Sequence, residues 1–373
     1  MDLLQSRMPK IRDLMRERDI DLLLAYSDGR GTLTKTDDLW CATGLRPVGE
    51  TALLIPAEGE PILVVTPSWM EAEARCLKQG RVQVLSGDDF GSELRQAAKA
   101  RVGQKKIGLS GRSFTSSNTC QTLSAAFEKE LVDAGTLIQE AGRIREPAEI
   151  EAARKGAAIA ESGHQMLVEA CRAGMTEYEL ACTVSTHMES LGAEDNFQLV
   201  CSAGHNRSAH PPTGRRLEAN DVVLAEISPC VDGVFVQICR TVVVGEGAPK
   251  NLKLLELGFQ AGLGAVEAGN TVADVVEAVN GSFLGTGYEE YCHPPFMRVR
   301  GHGLGLGSVL PGEFTENNQV KLENGMMFVL HPNQYFPDAG YLMYGETVLV
   351  GERGPEVLTS RPHKPSVGEE VAR

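Results

Sequence analysis

The chain has 373 residues, of which 42% are hydrophobic and 23% are charged. Its length exceeds that of one ordinary core and predicts two domains. With 50 acidic and 36 basic side chains the net charge is −14, so phosphate electrostatics do not favour a nucleic-acid partner.

Targeting signals and disulfides are not indicated. Residues 1–19 are charged throughout and contain no apolar signal core, and runs such as Leu22 to Ala25 are far too short to span a bilayer. The nine cysteines occur singly, without a CxxC pair, which is typical of reduced thiols. We therefore expect a cytoplasmic protein with no membrane partner.

Residues 1–140 alternate helical and strand-like segments, which predicts an α/β domain. The predicted helices are 9–18 and 68–79, and the predicted strands are 21–25, 51–56, 61–66 and 106–110. A second domain, 141–373, opens with Pro147 in the first turn of a long helix that Gly174 ends. We expect the tail after Arg361 to be loosely held.

The second domain repeats itself. Segment 172–180 resembles 267–275, 217–226 resembles 322–331, and 241–245 resembles 347–351, at offsets of 95, 105 and 106 residues. Ordered matches of this kind predict two helix–helix–strand–strand halves, an α+β arrangement about a pseudo-twofold axis. Glu226 and His331 take equivalent places at strand ends, which predicts that both face one shared cleft.

Three further polar features are candidates for the site. His210 ends a polar loop beside Pro211-Pro212, where an imidazole can exchange protons near neutral pH; an exposed loop histidine is the alternative. His302 lies between glycines that allow close approach of the backbone. Arg298 and Arg300 suit a carboxylate, with a solvated strand edge as the alternative.

Four segments resemble the motifs of the pita-bread superfamily of creatinase, prolidase and aminopeptidase P: 220–241, 301–305, 325–332 and 346–350. Residues 43–56 resemble the N-terminal domain of the same enzymes, which methionine aminopeptidases lack. The resemblance implies a creatinase-like N-terminal α/β domain followed by a pita-bread domain. It also implies a homodimer whose sites borrow from the partner's N-terminal domain, with Arg46 as a candidate.

The family's metal positions, carried over one by one, hold Glu226, Gln237, His302, His331 and Gly345. Only His302 is the expected residue, although Glu346 lies beside Gly345. Because two divalent ions need bridging carboxylates to offset their repulsion, we expect a degenerate metal site and no cofactor.

The resemblance to creatinase then implies a metal-independent hydrolase of a C–N bond in a small, polar, non-peptide substrate. His210 would transfer the proton, Glu226 would hold an NH-bearing group or orient water, and His302 and His331 would bond the substrate. The expected substrate-binding side chains are Arg298, Arg300, Gln237, Glu346 and Arg46.

Two alternatives remain open. Glu226, His302 and His331 form a two-histidine, one-carboxylate set that suits one zinc, iron or manganese ion, in a single-metal hydrolase or an Xaa-Pro peptidase-like enzyme. The other alternative is a non-catalytic module that binds a small molecule or a peptide.

Overall fold

The computed structural model describes residues 3–77, 82–101, 103–249, 251–307 and 309–359. Residues 78–79 of one predicted helix and the tail after Arg361 lie outside these ranges. The chain divides into an N-terminal unit, Met1–Arg143 with Leu306–Ser308, and a C-terminal unit, Ile144–Gly305 with Val309–Arg373. In the part that is described, no helix is both long and apolar enough to cross a membrane.

A mixed sheet forms the centre of the N-terminal unit. Its strands in the described ranges are β1 (Leu22–Ser27), β2 (Thr51–Pro56), β3 (Ile62–Val65), β4 (Gln83–Ser86), β5 (Ile107–Leu109) and β6 (Val132–Asp133). They lie in the order β4-β3-β2-β1-β5-β6. The β1–β2 and β2–β3 pairs are antiparallel and the other pairs are parallel. Every residue of β2 and β3 is buried, which explains their nearly continuous apolar sequences.

The helices of this unit are α1 (Leu3–Glu17), α2 (Asp38–Thr43), α3 (Glu71–Leu77), α4 (Phe90–Lys99), α5 (Ser117–Phe127) and α6 (Leu137–Ala141). The predicted α/β alternation and all four strands are confirmed, with small shifts at their ends. The predicted start of the first helix at residue 9 is wrong. The helix begins at Leu3 and runs through the exposed Pro9, because Leu3, Leu4, Met8 and Ile11 form one buried stripe along it.

The C-terminal unit begins with two helices and a sheet. Its first half contains α7 (Pro147–Ala170), α8 (Glu177–Ser190), β7 (Asp195–Ala203), β8 (Val222–Val231), β9 (Val234–Phe235) and β10 (Ile238–Val243). The strands pair in the order β10-β8-β7, with β9 also on β8. The predicted long helix is confirmed from Pro147, although it ends at Ala170.

The second half of the unit follows the same plan. It contains α9 (Leu252–Gly264), α10 (Val272–Gly281), β11 (Gly301–Gly303), β12 (Met327–Leu330), β13 (Gln334–Phe336), β14 (Gly340–Leu342), β15 (Glu346–Gly351) and β16 (Gly354–Val357). One sheet has the order β11-β12-β15-β16, and β13 and β14 form a separate hairpin.

The internal repeat extends to the helix caps. Thr176 caps α8 and Thr271 caps α10, and each forms a capping box with the acidic residue three positions later, Glu179 or Asp274. Such reciprocal bonds satisfy amides that a helix start leaves open. The predicted repeat is therefore confirmed. The prediction that Glu226 lies at a strand end is wrong, because Glu226 lies within β8, whereas β12 ends just before His331.

Apolar side chains from both repeats stabilise the second half of this unit. Leu255 and Phe259 of α9 and Val279 of α10 belong to one buried cluster with Phe328 and Leu330 of β12. Burying each such side chain stabilises the fold by about 1.5–3 kcal/mol. This packing fixes the end of β12, where His331 follows.

Candidate active site

One polar face of the C-terminal unit begins on β8 and β10. Glu226 and Cys239 are partners in the antiparallel register, so their side chains lie on the same face of the sheet. The Glu226 Oε2 atom lies 3.9 Å from Cys239 Sγ, and Gln237 Nε2 lies 3.7 Å from the same sulfur. Burial raises the pKa of Glu226 to about 7, so this carboxyl is partly protonated at neutral pH.

Two imidazoles form the other side of the site. His302 lies on β11, His331 follows β12, and their ring centroids are 5.7 Å apart. Burial lowers the pKa of both, and for His331 burial and the nearby His302 bring it to about 3. Both rings are therefore neutral at pH 7. The Nδ1 atom of His331 has no hydrogen-bond partner among the described residues.

An isolated bridge joins the two sheets between these groups. The Cys239 amide donates to Gly345 O over 3.1 Å, and the Gly345 amide donates to Cys239 O over 3.0 Å. Gly345 in turn lies against His331. Glu226, Cys239, Gly345 and His331 are thus successive neighbours across the junction, which places the carboxyl and the imidazole in one region of the unit.

Three neighbours of this junction were not singled out in the sequence. Asn333 forms side-chain hydrogen bonds with both Cys239 and Tyr341, and the tyrosine is close enough to Glu226 to interact with its charge. Burial raises the pKa of Cys239 well above its ordinary value, so the thiol keeps its proton near neutral pH. Cys239 follows Gln237 by two residues, and side chains two residues apart on a strand lie on the same face. This spacing is the sequence signal that could have placed Cys239 in the site.

The expectation that Glu346 binds substrate is not supported by its contacts. Its carboxylate pairs with Arg240 at 2.8 Å and accepts a 2.6 Å hydrogen bond from Thr359 Oγ1. Glu346 and Arg240 are both buried. An ion pair buried in this way stabilises the junction of β10 and β15, and it leaves no free carboxylate for a ligand.

Arg300 also has a structural role in place of the expected one. It is fully buried, and its guanidinium donates to Asn280 Oδ1, Asn333 O and Gln334 Oε1 at 2.8–3.0 Å. These bonds use the donors that a substrate carboxylate would need. Arg298 is exposed and pairs with Glu313 at 2.5 Å, so it remains open to solvent.

The His210 loop is held at its base by a residue that the sequence did not reveal. Glu177 is fully buried and accepts hydrogen bonds from the amides and hydroxyls of Ser202 and Thr213. These two residues bracket the loop. His210 itself is exposed, and its Nδ1 lies 2.8 Å from Pro211 O. In the N-terminal unit, Arg46 stacks its guanidinium 4.5 Å from the Trp40 ring centroid.

Two positions that the resemblance assigns to metal ligands, 237 and 345, carry no anionic side chain. Gln237 is fully buried and neutral, and its Oε1 has no hydrogen-bond partner among the described residues. Gly345 has no side chain. Within the described ranges, no group of three or more His, Cys, Asp or Glu side chains is arranged to hold a metal ion. The side-chain types at Glu226, His302 and His331 suit one ion, but they do not converge on one.

Comparisons with known proteins place this geometry in a family. The model of Metallopeptidase family M24 matches residues 151–352, and that of the Creatinase/Prolidase N-terminal domain matches residues 7–144. The chain is 25% identical to the Xaa-Pro dipeptidase of Pyrococcus furiosus over 364 residues, which are 95% of this chain and 98% of the relative.

Solved structures show the same fold. The Xaa-Pro dipeptidase from Bacillus anthracis superposes with a TM-score of 0.84 at 20% identity, covering 97% of this chain and 99% of the other. The N-terminal domain of FACT complex subunit SPT16 from Cicer arietinum does so with a TM-score of 0.77 at 13% identity, covering 97% of each chain. At these identities the likeness concerns the fold alone.

The family match corrects one expectation. We expected no cofactor from the altered ligand positions, but the matched family is one of metallopeptidases, so a divalent metal ion is what the family implies. The resemblance to the pita-bread superfamily is confirmed, as are the creatinase-type N-terminal domain and the hydrolysis of a C–N bond as the family's reaction. The chain belongs to Metallopeptidase family M24.

Proposed function

We propose that this protein hydrolyses the C–N bond of a small peptide-like substrate of the Xaa-Pro class, in the cleft of the C-terminal unit. The observation that carries the proposal is the Cys239–Gly345 bridge, which brings Glu226 and His331 together from the two repeats. The Xaa-Pro dipeptidase relative, which aligns with 95% of the chain, supports the substrate class. A non-peptide substrate, which the resemblance to creatinase implied, has no support among the relatives.

Glu226 is the residue that we propose for proton transfer at the bond that breaks. A carboxyl whose pKa is about 7 exists in both protonation states near neutral pH. It can therefore accept a proton from the attacking water and donate one to the leaving nitrogen. Neighbouring Cys239 keeps its own proton, because burial raises its pKa.

His302 and His331 are proposed to orient the substrate as neutral imidazoles. Burial keeps both uncharged at pH 7, and a neutral ring offers one donor and one acceptor. The Nδ1 atom of His331 and the Oε1 atom of Gln237 have no hydrogen-bond partner within the described ranges, and a substrate can satisfy them. Burying such atoms without a partner costs about 1–3 kcal/mol each, which favours a bound polar group.

His210 remains a proposal for the second proton carrier, supported by its exposed imidazole on a loop that is fixed at both ends. The homodimer and the contribution of Arg46 to a partner's site are also proposals. They rest on the resemblance of residues 43–56 to the family's N-terminal domain.

The test is an assay of purified protein on Xaa-Pro and Xaa-Ala dipeptides, each with and without added Mn²⁺ or Zn²⁺. We expect cleavage of Xaa-Pro dipeptides, and we expect Glu226→Gln to lower turnover by about 10² or more, the usual contribution of a general acid–base group. Glu218→Gln, which changes an exposed glutamate in the same way, is the matched control and keeps full activity. Failure to cleave any dipeptide under these conditions refutes the proposal.

The altered ligand positions favour a second candidate, a module that binds a peptide without cleaving it. Gln237 and Gly345 stand where the family has carboxylates, and a binding protein has no need of them. Calorimetric titration with the same dipeptides separates the two functions. Saturable binding without turnover supports the module, whereas turnover excludes it.

A further inference from the structure

Position 345 has no room for a side chain. A Cβ atom built on Gly345 would lie 2.5 Å from His331 Cβ and 3.0 Å from both His331 Cα and Leu330 O. Real Cβ atoms do not approach other carbon atoms this closely. Every residue except glycine carries a Cβ, so a ligand side chain at position 345 would require the backbone here to shift away from His331.

The close approach is built into the sheet junction. Gly345 exchanges two backbone hydrogen bonds with Cys239, and the next residue, Glu346, is held by the buried Arg240. The backbone at position 345 is therefore fixed on both sides and cannot move away from His331 without breaking these bonds. Packing of this kind resists even small insertions.

The remaining acidic side chains do not replace the carboxylate that is absent at position 345. Gln237 is neutral, and Glu346 already pairs with Arg240. This leaves Glu226 as the carboxylate among the family's five metal positions. Two divalent ions at the short separation of a two-metal site repel each other strongly unless bridging carboxylates lie between them.

We propose that neutral Gln237 and the closely packed Gly345 leave this site too few carboxylates for two ions, so that the cleft holds no more than one divalent ion. This inference concerns the same cleft as the proposed function and rests on it for the cleft's role. It is nevertheless tested by binding and stability, so it can fail while the peptidase assay succeeds, and the reverse also holds.

The first test is the metal stoichiometry of the full-length protein. After dialysis against a chelator and then buffer, the protein is titrated with Mn²⁺ and separately with Zn²⁺ by calorimetry, and bound metal is counted by elemental analysis after gel filtration. We expect no more than one ion per chain at saturation. Two ions per chain, bound to wild-type protein and reduced in His302→Ala, overturn the proposal.

The second test is a thermal-melting cycle on the packed pair. Gly345→Ala in the wild type should lower the melting temperature by several degrees, because overpacking a rigid site is destabilising. In a His331→Gly background the same change should lower the melting temperature less, since the nearest atom, the Cβ of residue 331, is gone. Gly264→Ala, at a helix position with open space, controls for glycine replacement as such. Equal losses from Gly345→Ala in both backgrounds refute the steric argument.

Discussion

The carboxylate of Glu177 accepts hydrogen bonds from both the amide and the hydroxyl of Thr213, at 2.9 and 2.6 Å. Its other oxygen accepts the same two kinds of bond from Ser202, at 2.7 and 2.8 Å. One buried side chain on α8 thus ties together the two ends of the loop that leaves β7. The loop carries His210, so the position of that imidazole depends on Glu177.

Glu177→Gln should therefore destabilise the protein and loosen this loop. The amide nitrogen of glutamine would face the N–H and O–H groups of either Ser202 or Thr213, which are themselves donors. These buried groups would then lack an acceptor, at a cost of about 1–3 kcal/mol. Chemical denaturation gives the loss in unfolding free energy, and hydrogen exchange reports opening of residues 204–216. Glu189→Gln on the exposed side of the same helix is the control. Unchanged exchange in this loop contradicts the role of Glu177.

His210→Ala should lower turnover by about 10²- to 10⁴-fold, if the imidazole carries a proton in the rate-limiting step. Stability should change by less than about 0.5 kcal/mol, because the side chain is exposed. Steady-state kinetics across pH 5–9 and a thermal melt on the same preparation provide both measurements. Near-normal turnover in the variant removes His210 from the mechanism.

The two arginines near β11 should respond in opposite ways to mutation. Arg300→Ala leaves buried acceptors at Asn280, Asn333 and Gln334 without a donor, so we expect a loss of about 3 kcal/mol or more. Arg298→Ala removes an exposed pair with Glu313 and should cost less than about 1 kcal/mol. Urea titrations of both variants make the comparison. Similar losses in the two variants show that Arg300 is not the structural residue that its contacts indicate.

Glu226 should make stability fall as the pH rises toward neutrality. Its pKa is about 7 when folded and near 4.5 as the ordinary value, so between these values the folded state binds more protons than the unfolded state. The protonated carboxyl stabilises the fold fully below about pH 4.5, and this contribution, of order 3 kcal/mol, is lost as the pH rises through 7. His331 has the opposite effect on stability. Its folded pKa of about 3 lies below the ordinary value of 6.5, so the unfolded state binds more protons and the stability falls as the pH drops below about 6.5.

The two effects separate above pH 6.5, where Glu226 still titrates and His331 no longer does. Melting temperatures between pH 6 and 8, with a chelator present so that no metal binds the carboxylate, should decline in the wild type. They should be nearly flat in Glu226→Gln. An equal decline in both proteins assigns the effect to another group.

Local sequence patterns determined the architecture and the residue types at the metal positions. Alternating apolar segments predicted the strands of the N-terminal unit, and the Thr-x-x-acidic caps at Thr176 and Thr271 accompany a repeat that is visible in the letters alone. The family motifs assigned Glu226, His302 and His331 to one cleft. Such features depend on periodicity and short spacing, which an amino-acid sequence displays directly.

Tertiary structure alone decided which polar groups are already in use. Arg300 pairs with residues 20–34 positions away, Glu346 pairs with Arg240 across 106 positions, and Glu177 reaches Thr213 across 36. A sequence shows that these side chains are charged, but their partners are chosen by packing between distant segments. The steric constraint at position 345 is also a result of tertiary packing, because only the folded junction brings Gly345 so close to His331 that no Cβ atom fits between them.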